Sequence, residues 1–240
     1  MIEARGLTKH YREVTALDRL DLTVSPGEIY ALLGPNGAGK TTTLRILAGV
    51  LEPDGGSVTI HGYDPDRNPI PYRQHLGYLA DDTALYKRMT PREMFQFFGA
   101  VHEIEADTLQ DQIEKMVDLM EIADMADRPI RKLSSGQKQR VNLARVFLHD
   151  PDVLLLDEAT ANLDIIGRRF VMDILLEARK RGKAIILSTH IMSEAESVCD
   201  RIGLIHQGCL IDEGTREDLL DRSDADSLAD AFFKRIPHER

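Results

Sequence analysis

The stretch Gly34-Pro35-Asn36-Gly37-Ala38-Gly39-Lys40-Thr41 restricts the possible folds of this chain more than any other. An apolar run over 29–33 precedes it, and a helical pattern over 41–50 follows it. The glycines let backbone amides converge on one point where a β-carbon would obstruct them. The helix behind them adds a positive N-terminal end, which favours an anion. Strand, loop and helix in that order make a phosphate-binding loop, and such loops belong to mostly parallel α/β sheets. Lys40 is spaced to reach the β and γ phosphates of a nucleoside triphosphate, and the Thr41 hydroxyl to bind Mg2+. Thr42 continues the same binding segment.

Further apolar runs bounded by turn residues predict strands at 58–61, 76–80, 153–156, 184–188 and 202–206. Helical patterns over 136–149 and 167–181 alternate with them, which predicts a mostly parallel sheet covered on both faces. Residues 1–24 carry short strand-like pieces without helices and predict an antiparallel flap. From 85 to 132 the pattern is almost wholly helical. Thr90-Pro91-Arg92-Glu93 there fits a capping box, with Pro91 in the first turn where its missing amide needs no partner. Phe95, Phe97 and Phe98 are expected to form the core of this inserted lobe. The expected division is a sheet core over 1–84 and 133–215, a helical lobe over 85–132 and a helical tail over 216–240.

Val153-Leu154-Leu155-Leu156-Asp157-Glu158 reads as a buried strand ending in two acids, which would point into the ligand crevice of an open α/β sheet. Asp157 is placed to hold Mg2+ directly or through water, and Glu158 to orient or deprotonate an attacking water. The Asn-Lys-x-Asp loop of guanine-specific readers is absent, so ATP is the expected nucleotide.

Just upstream lies Leu133-Ser134-Ser135-Gly136-Gln137. Placed between a phosphate loop and an acidic strand, it makes the chain resemble the nucleotide-binding subunits of ABC transporters over nearly its whole length. The implied fold is the P-loop NTPase of ABC type. The resemblance also implies that Tyr11 stacks on adenine and that His190 contacts the γ phosphate. It places Ser134, Ser135, Gly136 and Gln137 against the nucleotide of a second subunit, with Asp164 in the loop linking the two sites. Amides at a helix start suit that task, because they are unpaired and carry the positive dipole end. Implied partners are therefore a second cassette, in a homodimer or pseudo-dimer, and one or more integral membrane permease subunits. The run Thr189 to Glu196, followed by Cys199-Asp200-Arg201, is similar to ATPases of ABC-2-type exporters, including sodium-efflux and drug-resistance systems. A single-cassette assembly factor, such as one for iron–sulfur clusters, is the rival reading.

Three positions depart from the family pattern. Ala159 stands where proline usually follows the glutamate, Ser135 replaces a glycine, and Asn162 replaces a small residue. None removes a reacting group, so an active ATPase is still expected. Asp81 and Asp82 occupy a loop where the family commonly carries a glutamine. Either Asp81 approaches Mg2+ through a water, or it stays clear of the metal while Asp82 caps the turn at 83–85.

The formal net charge of −10 over 240 residues opposes nonspecific attraction to nucleic acid, and none is expected as a partner. No run approaches the roughly 20 apolar residues of a membrane span, and no leader pattern opens the sequence. A cytoplasmic chain, held on the inner membrane face through its permease, is expected. Cys199 and Cys209 lack paired spacing and read as reduced thiols. The eight histidines also lack paired spacing, which speaks against a zinc site.

Overall fold

A computed structural model describes residues 1–81, 85–161 and 163–236. The expected turn cap by Asp82 and the substitution at Asn162 lie outside the described residues. The strands are β1 (Ile2–Tyr11), β2 (Val14–Val24), β3 (Ile29–Leu33), β4 (Gly55–Ile60), β5 (Leu76–Leu79), β6 (Val153–Asp157), β7 (Ala184–Thr189), β8 (Arg201–His206) and β9 (Cys209–Gly214). The helices are α1 (Lys40–Leu47), α2 (Pro69–Gln74), α3 (Pro91–Val101), α4 (Ala106–Leu119), α5 (Ser135–Phe147), α6 (Ile165–Lys180), α7 (Met192–Val198), α8 (Arg216–Ser223) and α9 (Leu228–Arg235).

Two sheets carry the architecture. The larger runs β5-β6-β7-β3-β8-β9, parallel except for the antiparallel edge pair β8–β9. Strands β3, β6 and β7 are buried at every residue, because helices cover both faces. That is why their sequences are continuous apolar runs rather than alternating ones. The smaller sheet, β2-β1-β4, is antiparallel and forms the flap. The run at 58–61 therefore joins the flap as β4, rather than the parallel core.

Strand β9 (CLIDEG) has only a short apolar start before its acids and is half-buried throughout, which is too little pattern to predict a strand. It is set by its turn: Gln207 and Gly208 both adopt positive φ, 46° and 80°, as a two-residue hairpin turn matching the strand twist requires. The turn also docks on the phosphate loop, where the Gly208 amide donates to the Ala38 carbonyl at 2.9 Å.

Between Pro91 and Lys132 the regular elements are all helical. The expected capping box opens α3: Thr90 Oγ1 accepts from the Glu93 amide at 3.2 Å, and Glu93 Oε2 accepts from the Thr90 amide at 2.8 Å. Arg92 pairs with Glu114 and ties α3 to α4. Phe95 is fully buried, but Phe97 is 42% exposed and packs edge-on against Tyr86 and Phe98. The aromatic cluster is thus core on one side only, because positions 95 and 97 fall on different faces of one helix. Phe95→Ala is expected to lower unfolding stability by about 3–5 kcal/mol in denaturant titration. A loss below about 1 kcal/mol would mean that the site collapses around the gap.

Candidate nucleotide site

Strand β3 delivers the chain to Gly34 at the carboxyl edge of the sheet, and the loop then turns sharply into α1. Two glycines are obligatory there. A β-carbon on Gly34 would lie 2.2 Å from the Ile205 carbonyl oxygen, and one on Gly39 2.7 Å from that of Ala16. Gly39 also adopts φ 109°, which side-chain-bearing residues avoid. The loop is held in shape from within: Lys40 Nζ donates to the carbonyls of Gly34 at 2.8 Å and Pro35 at 3.0 Å, and the Ala38 amide donates to that of Pro35 at 3.2 Å. The same ammonium lies 3.9 Å from Glu158 Oε1. Burial pushes Lys40 below the ordinary lysine range, while Glu158 and then Asp157 pull it back up.

Asn36, Gly37, Gly39, Lys40, Thr41 and Thr42 line one hollow of about 370 Å³ together with Asp81 and Glu158. Thr15 and Ala16 of β2 close its other side. The structure therefore gathers the phosphate loop, the acid strand and the loop after β5 around one space.

Asp157 ends β6 and is buried; its Oδ1 accepts from Ser188 Oγ at 2.6 Å. Its Oδ2 is buried with no hydrogen-bond partner among the described residues. A bare carboxylate oxygen in that setting is costly, so the position fits a bound cation or its water. Glu158 takes φ 49°, an uncommon left-handed conformation for a glutamate, which costs on the order of 1 kcal/mol and turns the side chain out of the strand. Its amide donates to the Ser188 carbonyl at 3.1 Å, and its carbonyl accepts from the Ala161 amide at 2.9 Å. His190 Nδ1 lies 2.9 Å from Glu158 Oε1. Ala159 is buried, and its carbonyl accepts from Gln139 Nε2 of α5 at 2.6 Å. That contact fastens the turn from outside, at the position where the family usually carries proline.

The signature residues lie elsewhere. Ser134, Ser135, Gly136, Gln137 and Asp164 line a separate hollow of about 390 Å³, with Phe170 at its side. Ser134 and Gln137 cap α5 reciprocally: the Gln137 amide donates to Ser134 Oγ at 3.3 Å, and the Ser134 amide to Gln137 Oε1 at 2.9 Å. Asp164 caps α6, accepting from the Gly167 amide at 2.7 Å. Ile165 and Ile166, at the start of that helix, are 86% and 77% exposed, an unusual state for isoleucine. Tyr11, at the end of β1, is not among the residues lining the phosphate-loop hollow; it is 45% exposed, with the Lys9 ammonium 6.0 Å from its ring centre.

Two features escaped the sequence reading. Glu194 of α7 is buried and accepts hydrogen bonds from Thr160 and Thr189, which flank the acid turn and His190. It lies inside the run Thr189 to Glu196 noted above, but nothing there sets its carboxylate apart from that of Glu196. The histidines also do not stay scattered. His61, His75 and Asp152 bring ligand-type atoms within 4.8 Å of one another. His75 Nδ1 is 2.6 Å from Asp152 Oδ2, and the group sits at the sheet end opposite Glu158. With Asp152 55% exposed, it is a surface pair holding the starts of β5 and β6 together.

A phosphate loop at the head of a helix, faced by two acids at the end of a neighbouring strand, defines a P-loop nucleoside triphosphatase. The ABC transporter family model matches residues 17–161, and the chain belongs to that family. It is 35% identical over 224 residues to the ABC transporter ATP-binding protein NatA of Bacillus subtilis (strain 168), covering 93% of this chain and 91% of that one. It is 38% identical over 219 residues to the Nod factor export ATP-binding protein I of Paraburkholderia xenovorans (strain LB400), covering 91% of this chain and 72% of that one. A solved ATP binding subunit of an ABC transporter is similar with a TM-score of 0.90 and 26% identity, covering 98% of this chain and 99% of that one. The chain is an ATPase. Among the described residues, no helix is long and apolar enough to cross a membrane.

Proposed function

We propose that this chain hydrolyses ATP as one half of a head-to-tail pair of cassettes and drives an exporter through a separate membrane subunit. The observation that carries the reading is the separation of the two hollows. The phosphate loop and the signature helix belong to one chain, yet they line different spaces with no residue in common. A second copy turned end over end would bring each signature helix N-terminus to the other's phosphate loop, and the exposed Ile165 and Ile166 would be covered in the process. Completion of a site by a group supplied in trans has the logic of an arginine finger.

Within each site, Lys40 and the loop amides hold the β and γ phosphates, and Tyr11 offers its exposed face to adenine. Thr41 and Asp157 would hold Mg2+, which supplies positive charge to the phosphates; the bare Asp157 Oδ2 supports this assignment. Asp81 lines the same space, and a full charge there is favourable only beside a cation. Glu158 takes a proton from the attacking water as oxygen bonds to the γ phosphorus and the bridging oxygen leaves with ADP. His190 holds that carboxylate from the far side and is placed to reach the γ phosphate.

The lobe over 85–132 is the surface offered to the permease, at the inner face of the membrane, with 1–84 and 133–215 forming the motor core and 216–240 the tail. Export as the direction rests on the likeness to ABC-2-type ATPases and to a protein named for Nod factor export.

If sites form across two chains, specific turnover of the purified protein rises with protein concentration until the dimer saturates. ATPase rates over a hundredfold dilution series test this. A strictly constant specific rate from monomer to dimer concentrations would rule out sites shared between chains.

A further inference from the structure

The loops that carry Glu158 and His190 are joined beneath the surface by one carboxylate. Glu194 is 6% exposed, and each of its oxygens is used by a different loop. One accepts from Thr160 Oγ1, two residues beyond Glu158. The other accepts from Thr189 Oγ1 at 2.7 Å, directly before His190. The roles are fixed on the Thr189 side, because that hydroxyl already accepts from the Ile191 amide at 3.0 Å and so gives its proton to Glu194. A buried carboxylate without partners would be costly, and this one is satisfied only while both loops stay in place.

We infer that Glu194 is a positioning residue for hydrolysis: by clamping Thr160 to Thr189 it holds the left-handed turn at Glu158 against His190. The inference rests on the roles of Glu158 and His190 given above. The clamp adds to the backbone bonds that already hold this turn, and it ties the side of Thr160 to that of His190 through side chains. Glu158 occupies a strained backbone conformation, and such a conformation persists only where neighbouring bonds over-determine it. Above the clamp, the Glu158–His190 contact of 2.9 Å is made by two partly exposed side chains. Such a contact has little hold on its own loops. Glu194 acts through the two threonines, whose hydroxyls both donate to it. Because reaction rates fall steeply when reacting groups drift by about 1 Å, loosening the clamp acts on turnover before it acts on binding.

The test uses the full chain and compares turnover, equilibrium ATP binding and melting temperature. Glu194→Ala is expected to lower kcat by about 10- to 100-fold while ATP affinity changes less than about threefold. Thr160→Val and Thr189→Val, which keep side-chain shape, should each reproduce part of that loss, and Thr160→Ser and Thr189→Ser should restore it. Tyr72→Phe is the stability control, since it removes a buried hydrogen bond to the Leu47 carbonyl, away from both loops. Full turnover in Glu194→Ala, beside an inactive Glu158→Gln, would overturn the clamp and leave the site assignment standing. Equal slowing by Tyr72→Phe at a matched drop in melting temperature would also overturn it, as would a loss confined to ATP affinity. Normal turnover in Glu158→Gln would remove the reading on which the clamp rests.

Discussion

Glu158→Gln is expected to bind ATP at least as well as the unmodified chain while turning over about 10²- to 10⁴-fold more slowly. Glutamine preserves the shape and keeps an oxygen for His190, which lies 2.9 Å from Glu158 Oε1. It cannot take a proton from water. The substitution also deletes a negative charge 3.9 Å from the Lys40 ammonium, in a space where phosphates must settle. Like charges at such range oppose one another, so binding should hold or tighten. With hydrolysis blocked and ATP retained, the variant should accumulate as a nucleotide-bound dimer. Single-turnover kinetics, equilibrium ATP binding and light scattering read these three effects separately. Turnover within a factor of a few of normal would take the general base away from Glu158 and leave the acid pair with a binding role alone.

What could be read from the sequence was local in origin. The phosphate loop is contiguous and declares itself by its own residues, although the crowding that forbids a β-carbon at Gly34 and Gly39 comes from Ile205 and Ala16 far along the chain; the strand before it is apolar because it is buried at every residue. The acid pair at 157–158 was legible for the same reason, as the end of another fully buried strand. The capping box at Thr90 needs only four residues to declare itself. Features built by distant residues left no such mark. Thr160 and Glu194 are 34 positions apart and meet only because β6 and β7 lie side by side in the sheet. Gln139 reaches the Ala159 carbonyl, in the turn after β6, from α5, and nothing in either segment announces it. The run at 58–61 reads as a core strand, yet it pairs with β1, because partner choice is a property of register and not of composition. His61, His75 and Asp152 converge through the same long-range folding.

Lys40→Ala is expected to weaken ATP binding by about 10- to 100-fold, since a hydrogen bond to a charged group contributes roughly 1.5–3 kcal/mol. The same ammonium also has a structural task. It is 5% exposed and donates to the Gly34 and Pro35 carbonyls, so it helps hold the loop in shape. Removing it takes the ammonium donor from the Gly34 carbonyl in a buried setting, while the Pro35 carbonyl keeps the Ala38 amide at 3.2 Å, and the chain should lose stability as well. The two losses have different signatures. If Lys40 serves the phosphates directly, affinity for ATP falls far more than affinity for AMP, which lacks the β and γ groups. If it served only to shape the loop, both nucleotides would weaken alike, and added ATP would restore the lost melting temperature in proportion. Burial has already lowered the affinity of this lysine for its proton, an effect that Glu158 and Asp157 oppose. Arriving phosphates add negative charge at the same point and hold the proton more firmly. ATP binding should therefore take up protons wherever the free lysine is partly neutral, at the alkaline end of the range. Calorimetry in buffers of different ionisation enthalpy measures that uptake, and it should vanish in Lys40→Ala.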